Sequence, residues 1–337
     1  SNLAAIHYYP PNDQALPIEF YFAPLIIVSL LIIIWKFKSI RNEIILGLLF
    51  FLVTISLVLQ LIPVGHAFAS ERYSYIPYVG LFYIIGHLYH VISNEKKLIK
   101  YKTVSTVILL GYISAISYMT IERIKVWENS IELFSDNIEK YPYVAHAYWM
   151  RANTFKQYGE SAGKNNVNVA NDLYTRSIKD YDKAIGLKPD YAKAYFNRGG
   201  SYSNLQNQKK AIEDYTASIN IDPSYSPAWN NRGNSYAKLG QLENAINDYQ
   251  AAIDTDSTFV IPYKSMADLL VNNKKYREAL MYYEQSLEIN KSYSDAMHGK
   301  GVALYNIGKK NEACQEWKRA SALNYQASTD FLTKFCN

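Results

Sequence analysis

Glu71, Arg72 and Tyr73 stand side by side in a polar stretch, Pro63–Ser74, between two long apolar runs. A guanidinium is a planar fork suited to a phosphate, so Arg72, oriented by Glu71, is a candidate for holding a lipid phosphate. Charged and aromatic residues also gather at membrane interfaces with no ligand at all, and both readings stand. His87 and His90 lie three apart with no carboxylate beside them, which favours interfacial packing over a metal or proton site. Further along, Asn197 and Asn231 recur 34 residues apart. A side-chain amide can pair with both the N–H and the C=O of a peptide; helix-surface polarity is the competing reading. Asp254-Thr255-Asp256 has the form of a metal-binding DxD, but turn chemistry accounts for it. No Walker loop, HExxH, GxSxG or dinucleotide fingerprint is present, and no catalytic or metal-ligating residue is assigned. Two cysteines, Cys314 and Cys336, are too few for a disulfide scaffold or a cysteine zinc site. Buried free thiols are favoured over a pair formed in an oxidising compartment.

These groups belong to two unlike parts of the chain. The 337 residues are 49% hydrophobic with a mean hydropathy of −0.17. That average conceals a split: residues 1–121 hold 13 charged side chains and residues 122–337 hold 52. The net charge of +5 is spread without a basic stripe, which argues against nucleic acid as a partner. The opening Ser1-Asn2-Leu3-Ala4-Ala5 has no Met and no basic signal-peptide start, and reads as the beginning of a fragment or a processed chain.

Four apolar stretches, about 20–37, 44–62, 75–93 and 103–120, have the length of a membrane-spanning helix. Ile44–Ile62 runs nineteen residues without a charge. Lys36, Lys38 and Arg41 mark one connecting loop, and Lys96, Lys97, Lys100 and Lys102 mark another. The positive-inside rule puts those loops in the cytoplasm, and the N-terminus, the 63–74 loop and everything after 120 outside it. Residues 1–121 are therefore expected to form an integral membrane domain, as in a bacterial inner membrane.

Residues 122–337 repeat themselves. Tyr195, Trp229, Tyr263 and Met297 are spaced by 34, as are Ala211, Ala245, Ala279 and Ala313, and Tyr215, Tyr249, Tyr283 and Trp317. Within one period Trp229, Gly233 and Tyr236 share a helical face, and Gly233 lets a partner helix approach. Gly240 is placed to end that helix. This pattern resembles the tetratricopeptide repeat. The expected fold is all-α: four transmembrane helices, a leading half-repeat at 122–144, and a right-handed solenoid of five helix pairs at 145–191, 192–225, 226–259, 260–293 and 294–327, with a cap at 328–337. About 13 residues are inserted in the first repeat near Glu160–Asn171, as a loop or a helix extension, and Ile121–Trp127 is expected to be the elbow after the last span. The resemblance implies a concave surface lined by first helices, with His146, Trp149, Asn153, Lys193, Phe196, Asn197, Asn230, Asn231, Asn234, Lys264, Asp268, His298 and Tyr305 as groove candidates. It implies a protein or peptide partner there, and an asparagine ladder limited to Asn197 and Asn231, because Met150, Ser265 and Gly299 interrupt it.

The combination of spans, Glu71-Arg72-Tyr73-Ser74-Tyr75-Ile76-Pro77, Val126-Trp127 and repeats resembles the C-terminal half of the transmembrane-and-tetratricopeptide-repeat (TMTC-like) proteins, GT-C-fold protein O-mannosyltransferases, and their bacterial relatives. That resemblance implies a polyprenyl- or dolichyl-phosphate sugar donor for the full-length protein, bound near Glu71, Arg72 and Tyr73, and a membrane lipid as partner. It also implies a catalytic acid far upstream, so this chain would carry no cofactor and be inactive alone. The alternative is a non-enzymatic membrane scaffold for envelope complexes.

Overall fold

The computed structural model describes residues 41–58, 71–96, 98–126 and 128–336. The described residues are helical and contain no strand. The chain divides into two compact units, residues 1–142 and 143–337.

In the first unit, α1 (Arg41–Val58) packs on α2 (Glu71–Asn94), followed by a 3-10 turn at Ile99–Tyr101, α3 (Lys102–Val126) and α4 (Ser130–Lys140). The α1–α2 contact is made where two glycines meet. A methyl group at Gly47 would lie 2.7 Å from the Gly80 carbonyl oxygen, and one at Gly80 would collide with the Gly47 carbonyl. Ile44 and Ile84 bury against Leu48, Leu88 and Val91 beside that crossing. Apolar side chains lie open on α3: Val104, Val107, Ile108, Leu110 and Ile121 are each more than half exposed. Among the described residues no helix is long and apolar enough to cross a membrane. Of the four expected spans, 20–37 lies outside the described residues, 44–62 is described only as far as Val58, and 75–93 and 103–120 fall within α2 and α3. α3 runs unbroken through Ile121 to Val126, and the chain turns only afterwards, where the Asn129 side chain accepts from the Glu132 N–H at 2.9 Å and starts α4.

The second unit is a row of antiparallel helix pairs: α5 (Ala145–Ala162) with α6 (Val167–Leu187), α7 (Ala192–Asn204) with α8 (Gln208–Ile221), α9 (Ser226–Lys238) with α10 (Leu242–Thr255), α11 (Val260–Asn272) with α12 (Tyr276–Ile289), and α13 (Ser294–Asn306) with α14 (Lys310–Ala322), closed by α15 (Gln326–Phe335). The 13 inserted residues are a helix extension: α5 and α6 have 18 and 21 residues where the later helices have 13 or 14. Between the helices of a pair the chain must reverse in a tight turn, and a residue with positive φ does this at Gln206 (61°), Gly240 (73°), Lys274 (61°) and Gly308 (86°). Glycine suits that geometry, whereas Gln206 and Lys274 hold it against a Cβ.

One contact recurs through the solenoid. Gly199, Gly233 and Gly301 on first helices face the buried rings of Tyr215, Tyr249 and Trp317 on the second, and buried Ala152 and Ala267 hold the same repeat position in the pairs whose buried rings are Tyr181 and Tyr283. A methyl group at Gly199 would lie 2.9 Å from Tyr215, and one at Gly233 2.8 Å from Tyr249. At the far end Phe331 of α15 packs edge-on to Trp317 and Phe335 lies tilted against it. There Cys314 and Cys336 are joined in a disulfide, their Cα atoms 5.8 Å apart, which corrects the expectation of free thiols. The packing of α15 back onto α14 brings the two together, a juxtaposition that spacing along the chain does not reveal.

A second set of contacts ties four of the five first helices to their partners through an ion pair. Arg151 grips Asp180 (2.7 and 2.8 Å), Arg198 grips Asp214 (2.8 and 2.6 Å) and Arg232 grips Asp248 (2.8 and 2.7 Å), each by two parallel bonds. The third nitrogen of Arg198 donates to Asp182 of the preceding second helix at 2.6 Å, and that of Arg232 donates to Thr216 at 3.0 Å, so these guanidiniums bind three helices. Burial pushes the Asp214 carboxyl upward against the pull of Arg198. Burial also works against the Arg198 charge, but its bonds to Asp214 and Asp182 outweigh it and raise its pKa. Lys300 and Glu316 occupy the same places in the last pair, 3.3 Å apart. In α11–α12 the places are held by Met266, which is buried, and Tyr282, which packs beside it.

Two outcomes follow for denaturant unfolding. Lys274→Gly is expected to stabilise the solenoid by about 0.5–1 kcal/mol and Gly240→Ala to destabilise it by a similar amount; the opposite signs would refute the strain at these turns. Arg232→Met alone strands a buried carboxylate and is expected to cost roughly 3–5 kcal/mol. Adding Asp248→Tyr, which copies the Met266–Tyr282 arrangement, should recover most of that loss, and no recovery would mean the two arrangements are not interchangeable.

Candidate binding groove

The tyrosines that pack against small residues reach further than the core. Each ring passes between the helices, so that its hydroxyl emerges on the face formed by the first helices. There Tyr181 donates to Asn153 at 2.6 Å, Tyr249 to Asn234 at 2.8 Å and Tyr283 to Asp268 at 2.6 Å. These three acceptors occupy one repeat position, and the corresponding place in the second pair is Gly200. Burial pushes the phenols of Tyr181, Tyr215, Tyr249 and Tyr283 well above the usual tyrosine range, so they remain protonated donors. Asp268 also pairs with Lys264 at 2.7 Å. Burial works against the Lys264 charge, but the hydrogen bond and charge of Asp268 prevail and raise its pKa.

Of these groups Tyr215, Tyr249, Asn234, Lys264 and Asp268 border a cavity of about 570 Å³ that extends along the first helices from α5 to α11 and reaches Tyr293 before α13. Its polar lining is mainly amide, hydroxyl and lysine: Asn204, Asn231, Asn234, Asn272, Tyr215, Tyr249, Lys156, Lys238 and Lys264, with Glu160 and Asp268 as the acids. Such a surface can pair with peptide N–H and C=O groups along an extended segment. Nothing in it has the form of a catalytic constellation, and among the described residues no three His, Cys, Asp or Glu side chains converge as a metal site.

Of the groove candidates, Asn231, Asn234, Lys264 and Asp268 line this cavity. Asn197 lies beside it and donates to Asn153 at 3.0 Å, so the same Asn153 oxygen accepts from both Asn197 and Tyr181. Asn230 is buried, its amide turned to the Asn231 oxygen at 3.2 Å. Phe196 packs edge-on to Tyr225 with ring centres 5.0 Å apart. His146 stacks on Trp149 and bonds the Tyr191 hydroxyl at 3.1 Å, with burial lowering its pKa. His298 bonds Ser328 at 2.9 Å and Tyr305 stacks on Phe335, so both join the α15 cap. Lys193 is exposed. In the other unit Glu71, Arg72 and Tyr73 begin α2, and their side chains lie outside the described residues. His90 takes an amide bond from Asn94 at 3.1 Å, and His87 stacks on Tyr83.

Sequence reading overlooked Lys156, Glu160 and the tyrosine hydroxyls. The tyrosines were legible as core residues by their 34-residue spacing, but their hydroxyls matter through the Asn or Asp standing 15 residues before Tyr249 and Tyr283. The same pair in the first repeat is separated by 28, because the 13 inserted residues intervene.

Comparison with curated proteins gives no match. Among solved structures, the chain is similar to YrrB, described as a TPR protein with an unusual peptide-binding site, at 20% identity and a TM-score of 0.43, over 59% of this chain and 97% of that one. It is similar to TTC0263, a thermophilic TPR protein of Thermus thermophilus, at 13% identity and a TM-score of 0.44, over 55% and 97%. It is similar to MamA at 18% identity and a TM-score of 0.42, over 51% and 96%. Family models of the tetratricopeptide repeat match residues 192–225, 226–259 and 265–293. Those three segments are tetratricopeptide repeats, and the second unit is an all-α solenoid of that kind.

Proposed function

We propose that this chain is a membrane-anchored protein whose repeats hold an extended polypeptide segment on their concave face, outside the cytoplasm. The observation that carries the binding role is the cavity of about 570 Å³, lined by amides, phenols and lysines from four successive helix pairs. A side chain from one repeat could bind a point; a row of them suits a chain. The anchoring is supported by the uncharged run Ile44–Ile62, by the apolar side chains left exposed on α3, and by helices that cross through glycines, as packing in lipid favours. The extracytoplasmic placement is supported by the lysines of the two loops and by the Cys314–Cys336 pair, which suits an oxidising compartment.

The resemblance to GT-C-type O-glycosyltransferases extends this reading. The repeats would then present an acceptor polypeptide to a lipid-phosphate sugar bound near Arg72. In its favour, Glu71-Arg72-Tyr73 forms the first turn of the 24-residue α2, and the first N–H groups of a helix have no partner within it and suit a phosphate.

Binding is tested with an array of short peptides blocked at both ends and the full chain carrying Asn231→Arg and Asn234→Arg. Capture by the unaltered chain should fall by about ten-fold or more in the variant, with its melting temperature kept. Undiminished capture, or none by the unaltered chain, would overturn the groove. A reporter joined after Asn337 is expected to be active only outside the cytoplasm; cytoplasmic activity would overturn the orientation.

A further inference from the structure

The groove is uneven at one place. In α11–α12 a tyrosine hydroxyl, a carboxylate and an ammonium meet: Tyr283 donates to Asp268 at 2.6 Å, and Lys264 pairs with the same carboxylate at 2.7 Å. In α7–α8 the phenol is present as Tyr215, an ammonium reaches it from α5 as Lys156, and the carboxylate is missing. The position of Asp268 is Gly200, and an atom placed where its Cβ would be lies 3.2 Å from Lys156 Nζ and 3.8 Å from Tyr215 Oη. The Asn231 amide, as a donor, offsets part of the effect of burial on the Tyr215 phenol, and Lys156, Gly200, Tyr215 and Asn231 all face the cavity. The nearest acid is Glu160, 3.6 Å from Lys156 and half exposed, too distant for a strong hydrogen bond. The other two tyrosines of this row have their acceptor supplied by the fold, as Asn153 and Asn234.

We propose that the gap at Gly200 is a subsite for the carboxylate of an aspartate or glutamate side chain in the bound polypeptide, which takes the place Asp268 fills two repeats on. The bound carboxylate would accept from Tyr215 and Asn231 and pair with Lys156, displacing the loose contact to Glu160. Glycine is what lets Lys156 lie across α7 at this point: a Cβ at Gly200 would lie 3.1 Å from Lys156 Cε, so any larger residue would push the ammonium away from the place the ligand enters. The converging donors set the class of ligand: a phenol donates to an amide or a carboxylate alike, as Tyr249 and Tyr283 do, and the lysine ammonium beside Tyr215 favours the anion. The inference rests on the groove being a polypeptide site and names the side chain it selects.

The test uses the full chain and peptides blocked at both ends, so that no terminal carboxylate competes, with Glu, Gln or Lys at one central position. The Glu peptide is expected to bind about ten-fold or more tightly than its Gln and Lys counterparts. Gly200→Asp, which supplies the carboxylate internally, should abolish that preference while leaving the melting temperature unchanged or higher. Lys156→Met should weaken the preference independently, so that a folding defect in the first variant does not decide the matter. Equal binding of the three peptides, or a preference that survives both substitutions, would overturn the subsite while leaving the groove intact. Failure of all peptides to bind would overturn the groove reading and the subsite with it.

Discussion

The second unit depends on a small residue facing a large ring. Gly199 against Tyr215 and Gly233 against Tyr249 let two helices approach until the ring fills the space between them. A helix pair of 13 and 14 residues is too short to be stable by propensity alone, so burial of this ring and its neighbours holds it. The close approach sets everything near it. It brings Arg198 and Arg232 within bidentate reach of Asp214 and Asp248, and it carries each tyrosine hydroxyl through to the opposite face.

From that constraint the groove follows with little added. The first four pairs each present a phenol at one repeat position, and the repeat decides what meets it. An amide oxygen meets Tyr181 and Tyr249, a carboxylate already engaged by lysine meets Tyr283, and in the second pair Gly200 stands where that acceptor would be. The scaffold is periodic while its lining is not, which is how a repeat protein can discriminate among extended ligands that share one backbone. The elongated α5 contributes Lys156 and Glu160 to the same cavity, so the extension that interrupts the sequence period also shapes the groove.

Much of the solenoid was legible because its physics is local. The 34-residue period, the small–large alternation and Gly240 at the end of a helix are all visible in neighbouring letters, and the structure has them. Interactions that cross a turn were less so. The bonds from Arg198 to Asp214 and from Arg232 to Asp248 both span 16 residues, a recurrence that could have revealed them. Arg151 and Asp180 are separated by 29, because the insertion hides the register. Asn197, expected in a ladder facing a peptide, also donates one amide N–H to Asn153, 44 residues away, a bond invisible along the chain because it joins neighbouring first helices side by side. The Cys314–Cys336 pair was read as two thiols because nothing along the chain announces that α15 folds back on α14.

The central claim is that the face formed by the first helices, where the tyrosine hydroxyls emerge, is where a polypeptide lies. Site-specific photo-crosslinking addresses it directly: a photoreactive amino acid is placed at Asn234, which lines the cavity, or at Gln250, an exposed residue of the paired second helix. The account predicts that captured peptides crosslink from position 234 and not from position 250. Equal yields at both, or crosslinks from 250 alone, would contradict it.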